Sequence, residues 1–384
     1  MVGEEVAPRP GPSRRQVIGG LAALAGAALA PGCSVPPPGS TRFPPPLPAD
    51  ATVGICAPSA GVPRAVVDRY RFSVSYLESL GYRVVTAGRI ITDEIVSAPA
   101  EQRAEALQSL LFDPRVDVVV PPWGGELLID ILPLVDWDAL RQTEPTWVVG
   151  YSDLSSFQLP YLLNADTASV VGSNLLETPI RPPARGLEWW PDVVSLPAGA
   201  TFTQRSAPRY QASDVDWEQT PTTTRFDLDT RSRWEILGRE GDRSAELSVT
   251  GRVVVGTIDV LAPLVGTPYG DVPRFAQRVS PERLIIGLDA ADFQAAQYGR
   301  ALWGLRMAGW FDSAAAIVLG RTAAQPVDGF SARDAADDAL RGLDVPVVYN
   351  ADLGHLPPQM AWVLGARAAL DVVDGGAVLR QTLA

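Results

Sequence analysis

The sequence predicts an α/β protein, with an amino-terminal doubly wound parallel-sheet domain followed by a second, carboxyl-terminal α/β domain. Three observations carry this reading. Short β-branched runs alternate with amphipathic helical segments over residues 51–171; the same alternation resumes near Leu247; and the stretch between is rich in Pro, Thr, Ser and Trp without a clean period. The first part reads as flavodoxin- or Rossmann-like. Its boundaries are 51–177 for the amino-terminal domain, 178–246 for a linker region and 247–384 for the carboxyl-terminal domain.

The expected strands of the first domain are 52–57, 83–86, 117–121 and 147–150. Apolar residues recur at three- and four-residue spacing over 63–80 and 99–112, which predicts two helices covering the sheet; Pro99 and Glu101 suit a first helical turn. In the second domain strands are expected at 283–288, 315–319 and 345–349, with helices at 291–308 and 358–373.

Ahead of the first strand, Ser13-Arg14-Arg15-Gln16-Val17-Ile18 opens an apolar run that ends at Ala30 and Pro31-Gly32-Cys33. The pattern resembles a twin-arginine signal, and its apolar part is short of the roughly 20 residues that a membrane-spanning helix needs. Cys33 stands where a lipoprotein signal peptidase would act, with Ala30 in place of the usual leucine. Residues 1–33 are therefore expected to be an export signal, 34–50 a proline-rich spacer, and the mature chain an exported lipoprotein whose contact with a membrane is a lipid on Cys33. Loss of Cys33 as part of a cleaved leader is the alternative.

Composition excludes several chemistries. The formal charge is −12 and no basic run is present, so nucleic acid is not an expected partner. The 32 basic residues are all arginine, which removes Schiff-base and Ser-Lys mechanisms. One histidine and two cysteines cannot build a zinc site of several His or Cys ligands, and neither metal nor organic cofactor is expected. Cys56, in an apolar strand-type run, reads as a buried inert thiol.

Four segments can carry chemistry. Trp147-Val-Val-Gly-Tyr-Ser-Asp-Leu runs from a strand into a helix and puts Ser152 at the turn, where a nucleophile and a helix N-cap are equally served by the spacing. Gly124-Gly125, also at a strand end, allows close backbone approach, and its amides suit an oxyanion as well as a plain turn. Asn350-Ala-Asp-Leu-Gly-His holds His355, the single imidazole available as a general base, although a lone histidine is more often structural. Asp289 and Asp292 follow an apolar strand, where either can orient an imidazole or cap a turn.

Taken together with Gly54-Ile-Cys-Ala-Pro-Ser59, Leu264-Val-Gly-Thr-Pro-Tyr269, Ala308-Gly-Trp-Phe-Asp312, Leu319-Gly320 and Gly354-His355, these segments resemble, in order and spacing, the serine peptidase family of murein tetrapeptide LD-carboxypeptidases and microcin C immunity hydrolases. The resemblance implies a nucleophile at Ser152, a general base at His355, oxyanion donors among the amides of Gly124, Gly125 and Asp153, a site between two domains, and a homodimer. It implies a peptide substrate of muropeptide type. A microcin-hydrolase-like amidase and a catalytically silent wall-peptide binder are the alternatives. Two departures stand out. Asp289 occupies the place of a glutamate, shortening the reach by roughly 1.5 Å against a hydrogen-bond window of about 2.6 to 3.2 Å; and Gly256 alone remains of a glycine pair. Trp189 and Trp190 lie in the linker that supplies a substrate-facing aromatic in microcin-type relatives, with packing as their other role.

Overall fold

A computed structural model describes residues 40–181, 186–238 and 246–384. The export-type leader with Cys33, and the spacer up to residue 39, lie outside the described residues.

The first sheet has six strands in the order Trp362–Val363, Val170–Val171, Trp147–Gly150, Val118–Val119, Thr52–Ile55 and Arg83–Thr86. The five amino-terminal strands are parallel, and their spatial order is the doubly wound arrangement with its switch point beside Thr52–Ile55. Four of the five are buried throughout, as a parallel sheet covered on both faces requires, whereas Arg83–Thr86 lies at the open edge. The helices Val67–Ser79 and Ala100–Leu111 stand where the periodicity placed them. The sixth strand, Trp362–Val363, comes from the far end of the chain and pairs antiparallel with Val170–Val171.

The second sheet has eight strands in the order Thr201–Arg205, Gly376–Thr382, Arg367–Val373, Glu246–Thr257, Leu284–Asp289, Ala314–Gly320, Val347–Ala351 and Glu235–Ile236. Its four middle strands, from Glu246–Thr257 to Val347–Ala351, are parallel, and antiparallel strands extend it at both ends. The helix expected over 358–373 is not formed. Arg367–Val373 is instead a strand whose side chains alternate between exposed and buried, flanked by Glu246–Thr257 and Gly376–Thr382. The alanines there favour helix in isolation, but a period of two matches a half-covered sheet, and pairing on both sides overrides propensity. The linker is likewise not separate, since Thr201–Arg205 and Glu235–Ile236 complete this sheet.

The proline-rich segment is attached to the body from Arg42 onward. Arg42 donates to the carbonyls of Leu140, Thr143 and Ala165 and to the Thr167 hydroxyl; Trp147 Nε1 donates to Pro45 O, and Leu47 is buried. Residues 42–47 of the expected spacer are therefore part of the folded body. Cys56 is buried, and desolvation pushes its thiol up to about 12, so the thiolate is suppressed.

Candidate active site

The parallel strands of both sheets deliver side chains from their carboxyl ends to one cleft of about 700 Å³. Trp147–Gly150 leads through Tyr151 into Ser152, whose φ of 66° is in the left-handed region. A side chain held there is strained, which is the sharp strand-to-helix turn that exposes a hydroxyl. Its side chain has room because the residue packed against it is Gly124: a Cβ there would lie 2.6 Å from the Ser152 Oγ.

His355 reaches Ser152 from the loop after Val347–Ala351. Its Nε2 lies 3.0 Å from Ser152 Oγ, and its Nδ1 lies 2.6 Å from Asp289 Oδ2. Because an ionised carboxylate only accepts, Nδ1 carries the proton and Nε2 is free to accept from the serine hydroxyl. Asp289 is buried at the end of Leu284–Asp289, and its second oxygen accepts from Thr257 Oγ1 at 3.0 Å. The shorter acid is met by the backbone. Gly354 has φ 93°, and a Cβ there would lie 2.3 Å from the Asp289 carboxylate, so the histidine loop sits against the aspartate as only glycine permits. Asp292 makes no contact with the imidazole; its backbone N–H and those of Ala291 and Phe293 donate to Asp259, which holds the loop after Asp289.

Burial opposes charge on the His355 ring, but the Asp289 carboxylate, its hydrogen bond, and the fields of Glu177 and Asp259 outweigh it and hold the imidazole pKa above its ordinary value. Tyr151 packs edge-on against the imidazole with ring centroids 4.9 Å apart, and its hydroxyl donates to Glu177 Oε1 at 2.7 Å. A buried ion pair steadies the same loop from behind. Arg321 binds Asp352 and donates to the carbonyls of Leu356 and Pro358, on either side of the turn that follows His355.

Opposite the histidine, the Asp153 side chain is buried and accepts from Ser59 Oγ, Leu128 N–H and Ser156 Oγ. That carboxylate ties the loops after three strands together, and the Asp153 amide nitrogen is 3.1 Å from where a Gly124 Cβ would be. Gly125, with φ 144°, has no room for a Cβ beside Ser59 and Ala60. The glycine turn and the Asp153 amide therefore meet beside Ser152.

Models of the LD-carboxypeptidase N-terminal and C-terminal domains match residues 53–172 and 250–370. The chain belongs to the LD-carboxypeptidase family. The microcin C7 self-immunity protein MccF of Escherichia coli is 22% identical over 336 residues, covering 85% of this chain and 92% of its own. The structure of MccF in complex with glutamyl sulfamoyl guanosine superposes with a TM-score of 0.72 at 20% identity, over 88% of this chain and 98% of MccF. The muramoyltetrapeptide carboxypeptidase of Oxalobacter formigenes gives 0.63 at 19% identity, over 86% and 99%.

Within this LD-carboxypeptidase fold, Ser152, His355 and Asp289 form one hydrogen-bonded chain, with Gly124, Gly125 and Asp153 around the serine. Trp189 and Trp190 do not reach the cleft: both are buried and their indole N–H groups bind Thr178. The linker aromatic that lines the cleft is Trp217. It sits in Asp214-Val-Asp-Trp-Glu218, an aromatic among acids with no apolar period around it, a pattern that a core residue does not need. Also missed were Tyr151, Glu177 and Thr257, whose roles depend on partners distant in sequence.

The cleft is acidic. Asp93, Glu94, Glu126, Glu177, Asp214 and Asp292 line it, and no arginine does so among the described residues. Glu126 and Asp292, together with Gly125 and Ser152, also line a smaller adjoining pocket of about 300 Å³. Desolvation, helped by Asp292, Asp153 and Asp259, raises the Glu126 pKa. Among the described residues no group of three or more His, Cys, Asp or Glu side chains is arranged to hold a metal ion.

Proposed function

We propose that this chain is a serine-type LD-carboxypeptidase that cleaves an amide bond of peptidoglycan-derived peptides. The observation that carries the reading is the continuous hydrogen-bonded path from Ser152 through His355 to buried Asp289 on the floor of the cleft. Ser152 Oγ attacks the scissile carbonyl carbon as its proton passes to His355 Nε2. The amides around Gly125 and Asp153 receive the oxyanion, and the imidazolium, paired with Asp289, returns the proton to the departing amine. Water then attacks the acyl-enzyme by the same path in reverse.

Two ligand-sized compartments share Ser152 in their walls, which suits a peptide with groups on both sides of the cleaved bond, and the carboxylate lining suits a free ammonium on that peptide. The chain acts outside the cytoplasm, tethered through Cys33, and pairs as a homodimer. The test is incubation of the purified mature chain with a tetrapeptide muropeptide: release of terminal D-alanine, lost in Ser152→Ala, supports the reading, and no release overturns it.

One observation favours a second reading. No arginine lines the described cleft, and those that pair with its wall, Arg64 and Arg89, are already held by Asp93 and Glu94, so an amide whose leaving side carries no free carboxylate fits the charge better. That is the reaction of an amidase on a modified peptide, and MccF is a self-immunity protein of the same fold. Faster turnover of a C-terminally amidated tetrapeptide than of the free acid selects this second reading; a catalytically silent wall-peptide binder would turn over neither.

A further inference from the structure

Residues 211–227 of the linker supply Asp214, Val215 and Trp217 to the wall of the cleft. Most of this segment is exposed, with Phe226 as its buried apolar anchor, so it has little core of its own. It is fastened at both ends. The Gln211 N–H donates to Pro357 O at 2.8 Å, two residues beyond His355. At the other end Arg69, on helix Val67–Ser79, donates through Nη1 to Pro221 O at 3.1 Å and Thr223 O at 2.6 Å. Its Nε donates to Leu176 O at 2.6 Å, next to Glu177, and its guanidinium carbon stands 4.3 Å from the centroid of the Trp217 ring.

Arg69 is 0% exposed, is in no ion pair among the described residues, and has an Nη2 with no hydrogen-bond partner. Burial outweighs the field of the nearby Glu177 carboxylate and pulls the guanidinium pKa down to about 10, so holding the cation there is costly, and an apolar side chain of similar volume would avoid that cost. What an apolar side chain cannot do is grip three carbonyls from two segments while presenting a flat cationic face to an indole.

We propose that Arg69 is a positioning residue for substrate binding: it fixes the linker wall and the Trp217 ring over the cleft, and takes no part in bond making or breaking. Measured turnover of a muropeptide rests on the function proposed above, but the geometry does not, so the experiment has two arms. In full-length mature protein, Arg69→Met is expected to raise KM for the tetrapeptide about tenfold while kcat stays within about threefold and the rate of Ser152 labelling by a fluorophosphonate is unchanged. Arg69→Lys keeps the charge but loses the fork, and is expected to fall between wild type and Arg69→Met. In the second arm trypsin, which in this lysine-free chain cuts only after arginine, is expected to cleave Arg69→Met after Arg225 about tenfold faster than wild type, with the urea midpoint of global unfolding shifted far less.

A KM unchanged in folded Arg69→Met overturns the proposal, as does loss of kcat and labelling in parallel without a KM effect. If wild type is labelled but turns over no muropeptide, the function fails while the trypsin arm still decides the role of Arg69. Should Arg69→Met not fold, Trp217→Leu removes the other half of the contact from the cleft side: the same KM rise supports the proposal and an unaltered KM overturns it.

Discussion

Ser152 is an L-residue with φ 66°, and the strain is sustained by the packing around it. Replacing it by alanine removes the hydroxyl beside His355 Nε2, and turnover and fluorophosphonate labelling are expected to vanish together, with kcat down by about 10⁶. Asp289→Asn keeps the shape but offers the imidazole the wrong partner, so a fall of about 10⁴ in kcat is expected. The pH profile follows from the same pair. The base must be neutral to act, and its pKa is held above the ordinary value near 6.5, so kcat/KM should rise with pH along a limb centred above that value. Removing the Asp289 charge should move the limb of the residual activity to lower pH; a limb that does not move would assign the titration to another group. Thr257→Val removes the second hydrogen bond to Asp289, and a loss of about tenfold in kcat, with the fold intact by circular dichroism, is expected.

At the scale of elements, the site depends on loops brought together by glycine and by buried charge. Gly354→Ala adds a methyl where the Asp289 carboxylate lies and disfavours the φ of 93°; a kcat reduced by about 10² is expected, and in an Asp289→Asn background Gly354→Ala should add little because both break one contact. Arg321→Ala leaves Asp352 buried and unpaired and should cost about 3 to 5 kcal/mol in urea unfolding. The sequence disclosed the parallel core well because buried central strands and amphipathic helices have distinct periods. Ser152, Gly124, Gly125 and His355 were legible as residues at strand ends, where chemistry gathers in such sheets. Asp289 was legible only alongside Asp292, since spacing cannot say which carboxylate turns inward. The strand Arg367–Val373 was misread because its alanines speak for helix, while the partners that make it a strand lie over a hundred residues earlier and just beyond it. Trp217 was marked only by its acidic neighbours, because Arg69, which stands against its ring, is far away in sequence.

For the molecule as a whole, the amino-terminal attachment is part of the fold. Arg42 satisfies three carbonyls and a hydroxyl, and Arg42→Ala is expected to destabilise the chain by about 3 kcal/mol in urea unfolding, a loss that a free tether would not show. The first sheet, for its part, obtains its last edge from Trp362–Val363, and the serine and imidazole are 203 positions apart. A ribosome must therefore release the chain through Val363 before Val170–Val171 is covered, and through His355 before the imidazole can meet the hydroxyl. The nascent chain carries an open strand edge but no working centre, and a fragment cut after the first domain would keep that edge as an invitation to aggregate. Latency during synthesis is thus built into the threading, so the producing cell meets the finished catalyst only once the last strands have closed.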